Sequence, residues 1–246
     1  MLPEHLLTLS EKEALRDCVP ERFSCHAFRP ALTPALYASL TYLCGRFRGD
    51  QVRFVPLPVP DGFFSTGFLG LNRVQGCPVV IAALVRDQGP ASLTEAGFLG
   101  EALVLSLTRL PLGTCYLTGG YRREILPLKT RAGETLSFLI AAGEAAESPG
   151  PRRKKSMSRL CRGDPAAWPE EAGLAATLVQ SAPSSQNQQP WEIAFEGRSL
   201  VLSVPDFRHL ELGIAMLHAE LALTVPHHWA CSVQRRVCVA RGILDD

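Results

Sequence analysis

Apolar residues along this chain recur at two different periods, and each change of period marks an element boundary. Ser10-x-x-Glu13 reads as a capping box that opens a first helix, which Pro20 ends or bends. Residues 21–29 follow as a polar connection. Thr33-Pro34 supplies an N-cap and an N1 proline for a helix running to about Gly49. Residues 51–57 alternate as a strand does, and residues 78–86 read as a buried strand carrying Val79, Val80, Ile81 and Val85. Ser92-x-x-Glu95 is a second capping box. Leu99, Ala102, Leu103, Leu105 and Leu107 continue it as a largely buried helix that ends near Pro111-Leu112-Gly113. Residues 135–142 form another buried strand.

Between residues 145 and 169 the pattern lapses into Ser148-Pro149-Gly150-Pro151, Arg152-Arg153-Lys154-Lys155 and Arg162-Gly163-Asp164-Pro165. Such composition predicts a basic linker, over residues 151–168, between a first half at 1–150 and a shorter second half at 169–246. Beyond it, Pro169 begins a helix through Leu178, and residues 180–190 are rich in Ser, Gln, Asn and Pro. Two strands at 191–196 and 199–204 flank Gly197-Arg198 as a hairpin. A helix at 211–225 precedes a last strand around 232–240. This helix and strand repeat the order of elements seen from Glu95 onward, a weak sign of internal duplication.

Composition narrows the function. The 246 residues are 46% hydrophobic and 20% charged, with a net charge of +1, so a packed core is expected and disorder is not. Near-neutrality gives no general attraction to nucleic acid or an anionic membrane, and any anion must be met by a local basic cluster. The start, Met1-Leu2-Pro3-Glu4-His5, has no basic n-region leading to an apolar stretch, and the longest apolar runs are too short to span a bilayer; a cytoplasmic location is expected. The eight cysteines (Cys18, Cys25, Cys44, Cys77, Cys115, Cys161, Cys231 and Cys238) form no Cys-x-x-Cys and no zinc spacing, so buried thiols and no metal are expected. Arg162-Gly163-Asp164 is taken as chance loop composition.

Three segments carry candidate chemistry. In Arg22-Phe23-Ser24, Arg22 and Ser24 lie two apart, so in extended chain a guanidinium and a hydroxyl face the same way, as a phosphate grip requires. Taken alone, a surface arginine at a solvated helix end is the better explanation of this segment. From Leu112 to Gly120 the chain runs Gly113-Thr114 and later Gly119-Gly120, where backbone N–H groups can approach a flat ring closely because glycine has no Cβ. An ordinary helix C-cap and turn is the alternative there. In Ala182-Pro183-Ser184-Ser185-Gln186-Asn187-Gln188-Gln189-Pro190-Trp191, amides and hydroxyls are dense enough to read a heteroaromatic edge, and Trp191 anchors the loop to the core.

Residues 182–191 resemble the Pro-Ser-x-x-Asn-x-Gln-Pro-Trp segment of FMN-dependent nitroreductases. Arg22-x-Ser24 with Phe28 resembles the Arg-Arg-Ser-x-Arg-x-Phe opening of that family, residues 112–120 are similar to its Gly-Leu-Gly-Thr-x-Trp segment, and residues 143–154 resemble its Pro- and Arg-rich tail. The late position of the Asn-Gln-Pro-Trp segment matches a fused branch in which one chain imitates the homodimer. The resemblance implies an α/β (α+β) nitroreductase-like fold, with a mixed, mainly antiparallel sheet flanked by helices and two related halves in one chain.

It also implies roles. Arg22 and Ser24, with Arg152, Arg153 or Lys154, would bind the FMN phosphate. Phe23 and His26 stand where the family carries further basic residues, a departure that lowers the expected phosphate affinity. Pro183, Ser184, Ser185 and Asn187 would reach the flavin, and the backbone at Gly113 and Thr114 would face its N5. Because the flavin carries the hard chemistry, no protein acid or base is implied. The chain has no Gly-x-Gly-x-x-Gly loop, so NADH or NADPH is expected only as a transient reductant, passing electrons to a small electron-poor acceptor such as a nitroaromatic or quinone. One FMN per chain and a monomer or weak dimer follow from the fusion. Arg22 is expected to serve the cofactor far more than the fold. The competing readings are an FMN-storing or sensing protein without turnover, and a nitroreductase fold that has lost its flavin.

Overall fold

A computed structural model describes residues 6–64, 74–234 and 237–244. The first helix, α1 (Leu9–Cys18), is opened by Thr8, whose hydroxyl accepts the Glu11 N–H (3.2 Å) while the Glu11 carboxylate accepts that of Thr8 (2.9 Å). The expected box at Ser10 and Glu13 is thus displaced by two residues; Leu7, buried just ahead of Thr8, fixes where the chain enters. Helix α2 (Pro34–Arg46) starts as expected, with Thr33 Oγ1 accepting from Leu36 N (3.3 Å), and ends at buried Phe47. Strands β1 (Val52–Pro58) and β2 (Val79–Val85) follow; every residue of β2 is buried. Helix α3 (Pro90–Arg109) begins earlier than Ser92 because Pro90, with φ already helical, takes the N1 position after Gly89. Ser92 and Glu95 are buried in its first turns instead of capping it.

Strand β3 (Leu112–Leu117) comes directly after α3, and β4 (Thr135–Glu144) pairs with both β3 and β2. Residues 151–168 are more ordered than a linker: they hold a short helix, α4 (Met157–Leu160), and β5 (Cys161–Arg162), which pairs parallel to β6 (Glu192–Glu196). Helix α5 (Glu170–Gln180) precedes β6, which forms the expected hairpin with β7 (Ser199–Pro205). Helix α6 (His209–Glu220) starts two residues before the expected Glu211 and stops well before Pro226. The single strand expected near the end is a hairpin of β8 (His227–Gln234) and β9 (Val237–Leu244).

Chain contacts divide into two units that packing groups differently from the sequential halves. One comprises Met1–Pro20, Leu93–Ala102 and Arg152–Asp246; the other comprises Glu21–Ser92 and Leu103–Pro151. The second unit holds a sheet ordered β1-β2-β4-β3, and the first a sheet ordered β5-β6-β7-β9-β8. Without β5 the two orders are the same, every pairing in both is antiparallel, and in each a long helix (α3 or α6) links the second strand to the next pair.

Within the first unit, the N-terminal part of α3 crosses α6 at backbone contact. A Cβ at Gly97 would lie 2.1 Å from the Leu210 carbonyl oxygen, and one at Gly213 would lie 1.9 Å from the Thr94 oxygen. Thr94 stands to Gly97 as Leu210 stands to Gly213, so the contact is reciprocal, as in an interface between identical surfaces. The flanking sequences, Thr94-Glu95-Ala96-Gly97 and Leu210-Glu211-Leu212-Gly213, share Glu and Gly. One turn further along, Glu101 Oε1 meets His218 Nε2 at 3.0 Å, both side chains fully buried. Glu220, at the other end of α6, receives Lys12 (2.6 Å), His227 (2.8 Å) and Trp229 Nε1 (2.8 Å). Burial alone would raise its carboxyl, but the His227 and Lys12 partners outweigh that and hold it down at about 2.

Close approach at this crossing decides the sign of a glycine substitution. Gly213→Ala adds about 1 kcal/mol of helix propensity but forces the backbones apart, an overpacking cost of about 1–3 kcal/mol or more. Its melting temperature is expected to fall. Gly45→Ala in α2, where an added Cβ meets nothing within 4 Å, is expected to raise it. Thermal melts of the two variants check the opposite signs.

Candidate functional site

Helix α5 ends at Gln180, and before β6, which starts beyond the fully covered Trp191, the chain makes only a short 3-10 turn at Ser185–Asn187. Three residues of the intervening loop, Gln186, Asn187 and Gln189, have positive φ (50°, 53° and 46°). For residues with a Cβ this is a sparsely populated conformation that persists only where surrounding bonds impose it. For Asn187 and Gln189 those bonds come from the basic segment. Asn187 Nδ2 and Gln189 Nε2 both donate to the Arg153 carbonyl (2.8 and 3.1 Å), and Lys155 N donates to Gln189 Oε1 (2.8 Å). Lys155 Nζ donates to the Gln189 carbonyl (2.9 Å), and Gln189 N donates to Ser184 Oγ (2.8 Å). Loop and basic segment therefore form one hydrogen-bonded unit, with buried Gln189 at its centre.

A cavity of ≈ 760 Å³ opens where they meet. One wall carries Arg153, Lys154, Lys155, Ser156 and Arg159; the other carries Gln186, Asn187 and Gln189. Four cationic side chains facing three amides suit an anion that also offers groups to hydrogen-bond, such as a phosphate ester. Lys154 donates to Ser181 Oγ (2.7 Å), and burial, aided by the Arg152 charge, lowers its ammonium pKa. Arg152 itself is turned to packing: its NH1 donates to the Val19 carbonyl (2.9 Å).

In the other unit, residues 23–28 run beside β3. Ser24 bridges Thr114 in parallel, and Cys25 N donates to Thr114 O (2.9 Å). The structure thus brings Ser24 beside Thr114. It corrects the reason for the glycine, however. Gly113 and Thr114 are buried within a strand paired to β4, not held in an open turn. A Cβ at Gly113 would sit 2.9 Å from both Cβ and Sγ of Cys25, so side-chain packing already requires glycine there. Phe23 packs against the apolar cluster that includes Cys25, Phe28 and Cys115. The His26 ring lies 3.8 Å from Cys115 Sγ. The backbone N–H groups of His26 and Ala27 donate to Glu147 Oε1 and hold that carboxyl below its usual range. A carboxylate at this point works against a phosphate beside His26.

Known proteins place this architecture. A family model described as "Putative TM nitroreductase" matches residues 60–223. The chain belongs to this family. In three dimensions it is similar to a crystal structure of a "putative nitroreductase" from Thermotoga maritima, with a TM-score of 0.67 at 20% identity over 100% of this chain and 98% of that one. That likeness shows the fold, an α/β nitroreductase fold with mainly antiparallel sheets flanked by helices. A nitroreductase with bound FMN from Desulfitobacterium hafniense matches 61% of this chain and 98% of its own at 14% identity, with a TM-score of 0.46. No curated protein matches the sequence. Among the described residues, no helix is long and apolar enough to cross a membrane.

Of the residues assigned by resemblance to the nitroreductase site, Arg153, Lys154 and Asn187 line one cavity, with Ser184 bracing its loop and Pro183 and Ser185 in that same loop. Lys155, Arg159, Gln186 and Gln189 also line it and were not foreseen. The unbroken run Arg152–Lys155 with a further arginine at 159 was the available signal; the glutamines' part depends on backbone conformation and had none.

The expectation that Arg22 serves the cofactor and hardly the fold needs correction. Its side chain is buried, with 7% exposure, and its charge acts on the Cys115 thiol. Removing a buried long side chain loses packing as well as charge. Arg22→Ala is therefore expected to lower the urea midpoint of the cofactor-free protein, destabilising it by about 1–3 kcal/mol. An unchanged midpoint would contradict this placement.

Proposed function

We propose that this nitroreductase-family protein is an FMN-dependent oxidoreductase, reduced by NADH or NADPH and reoxidised by a nitroaromatic, quinone or similar electron-poor acceptor in a ping-pong cycle. The observation that carries this reading is the cavity where the Ser-Gln-Asn-Gln loop is bonded to the basic segment, within a chain whose family is that of nitroreductases. Its donor set fits FMN at the phosphate end: Arg153, Lys154 and Arg159 supply cations, and Asn187 and Gln186 add amides. Pro183, Ser184 and Ser185, and separately Ser24, Gly113 and Thr114, are proposed as flavin contacts on the resemblance. Bound FMN supplies the two-electron chemistry, and the protein supplies binding and orientation. No side chain is assigned as acid or base.

Arg153 is exposed, so Arg153→Ala is expected to leave the melting temperature nearly unchanged. Loss of a charge-assisted bond worth about 1.5–3 kcal/mol should weaken FMN roughly ten- to a hundred-fold. Riboflavin, which lacks the phosphate, should bind the parent weakly and be indifferent to the substitution. Flavin fluorescence titrations, with exposed Arg48→Ala as control, test this. Equal FMN affinity in all three proteins would remove the cavity from the cofactor site. Bleaching of the bound flavin by NADH or NADPH, then recovery with a quinone, separates turnover from storage.

The reciprocal contact at Gly97 and Gly213 and the repeated strand order also support descent of the chain from two fused copies of one half. A chain that already contains both halves is expected to be a monomer or a weak dimer by light scattering. A tight dimer at nanomolar concentration would count against the fusion.

A further inference from the structure

Strand β7 ends at Pro205, and Val204 pairs with Cys238 on the neighbouring β9. The chain then turns, with Arg208 N donating to the Pro205 carbonyl (2.9 Å), and enters α6 at His209. This tight turn sets Asp206 and His209 over Cys238. Cys238 Sγ lies 3.1 Å from His209 Nδ1 and 3.3 Å from Asp206 Oδ1. One donor atom from each residue lies within 4.8 Å of the other two. Arg208, between them in sequence, is tied to Glu211 at 2.7 Å.

The geometry points to a site for one divalent transition-metal ion of the zinc class, held by Asp206, His209 and Cys238. Three features favour a metal over a reactive thiol. First, the donors converge on one another, whereas an activated cysteine needs its base on one side and free access on the other. Cys238 has 2% exposure, closed to any substrate. Second, the Cys238 thiol donates to Asp206 Oδ1, and loss of that proton leaves a thiolate directly against a carboxylate oxygen. That contact is repulsive to a thiolate unless a cation stands between them, and then both anionic ligands are drawn to the cation. Third, the spacing is close to what coordination requires. Bonds of about 2.3 Å to sulfur and about 2.0–2.2 Å to nitrogen and oxygen give tetrahedral edges of about 3.4–3.6 Å. Opening the 3.1 and 3.3 Å separations by a few tenths of an ångström reaches that.

Thiolate and imidazole donors select zinc-like ions over magnesium or calcium. Asp206, with its side chain 46% exposed, provides the entry and leaves a fourth position for water. On binding, the thiol proton leaves to solvent and the metal–sulfur bond takes its place; no electron is transferred. The ion would pin the start of α6 to the β7–β9 pair, independently of any flavin.

Chelator-treated full-length protein titrated with Co²⁺ should develop a thiolate-to-metal charge-transfer band that saturates at one equivalent and is displaced by Zn²⁺. Zn²⁺ should also raise the melting temperature. Cys238→Ser should abolish the band, while Cys231→Ser, at an exposed cysteine on β8, should keep it. Should Cys238→Ser fail to fold, Asp206→Asn serves: it should weaken Co²⁺ at least about tenfold. Absence of a thiolate band at one equivalent would overturn the proposal. So would a band unaffected by either ligand substitution, or rapid alkylation of Cys238 without metal binding, which marks a reactive thiol.

Discussion

Helix α3 meeting α6 at backbone distance is the constraint on which the first contact unit depends. Two glycines, each under the carbonyl of the other helix, allow no side chain between them. Such proximity places two more demands on the crossing. Glu101 and His218 must be paired, since each is wholly removed from water. Helix α6 must also be apolar nearly all round, which it is from Leu212 to Ala219 with His218 as the exception. Helix α3 continues past Ala102 into the second unit, so the same twenty-residue element contributes to both cores.

With α6 fixed, its two ends organise chemistry of different kinds. At the C-terminal end Glu220 gathers Lys12, His227 and Trp229, tying α1 and β8 to the helix through one carboxylate. At the N-terminal end the turn out of β7 collects Asp206, His209 and Cys238. Arg208, between Asp206 and His209 in sequence, joins Gln188 of the loop at 184–190 to Glu211. The loop draws its own rigidity from Arg153 and Lys155, whose bonds hold the positive-φ residues Asn187 and Gln189 in place. Strain held by a basic segment beside a cavity is a reason to look for function there, whatever the family.

What could be read from the sequence was local. Proline and Thr33 set the start of α2, the all-apolar run gave β2, and Gly197-Arg198 gave the β6–β7 hairpin, because each depends on dihedral preference or period within a few residues. Where two local signals compete, the choice was missed: Thr8 over Ser10 and Pro90 over Ser92; and where one strand was expected near the end, two pair, β8 with β9. The loop at 182–191 stood out as a candidate site because its composition is unusual for a connection that ends on a buried tryptophan.

Tertiary structure alone decided the rest. No spacing rule links Asp206 and His209 to Cys238, which meet only because β9 lies in register beside β7. The acid at Glu147, far away in sequence, meets the His26 backbone where residues 145–146 run beside Ala27 and Phe28, and Arg22, which looks like surface in a polar stretch, is buried. Gly97 and Gly213 read as ordinary helix glycines until the two helices are seen to touch. Sequence determined which elements form and which family the chain resembles, since those follow from short-range preference and motif. Which side chains share a space depends on pairing and packing between distant segments, and that only the folded chain decides.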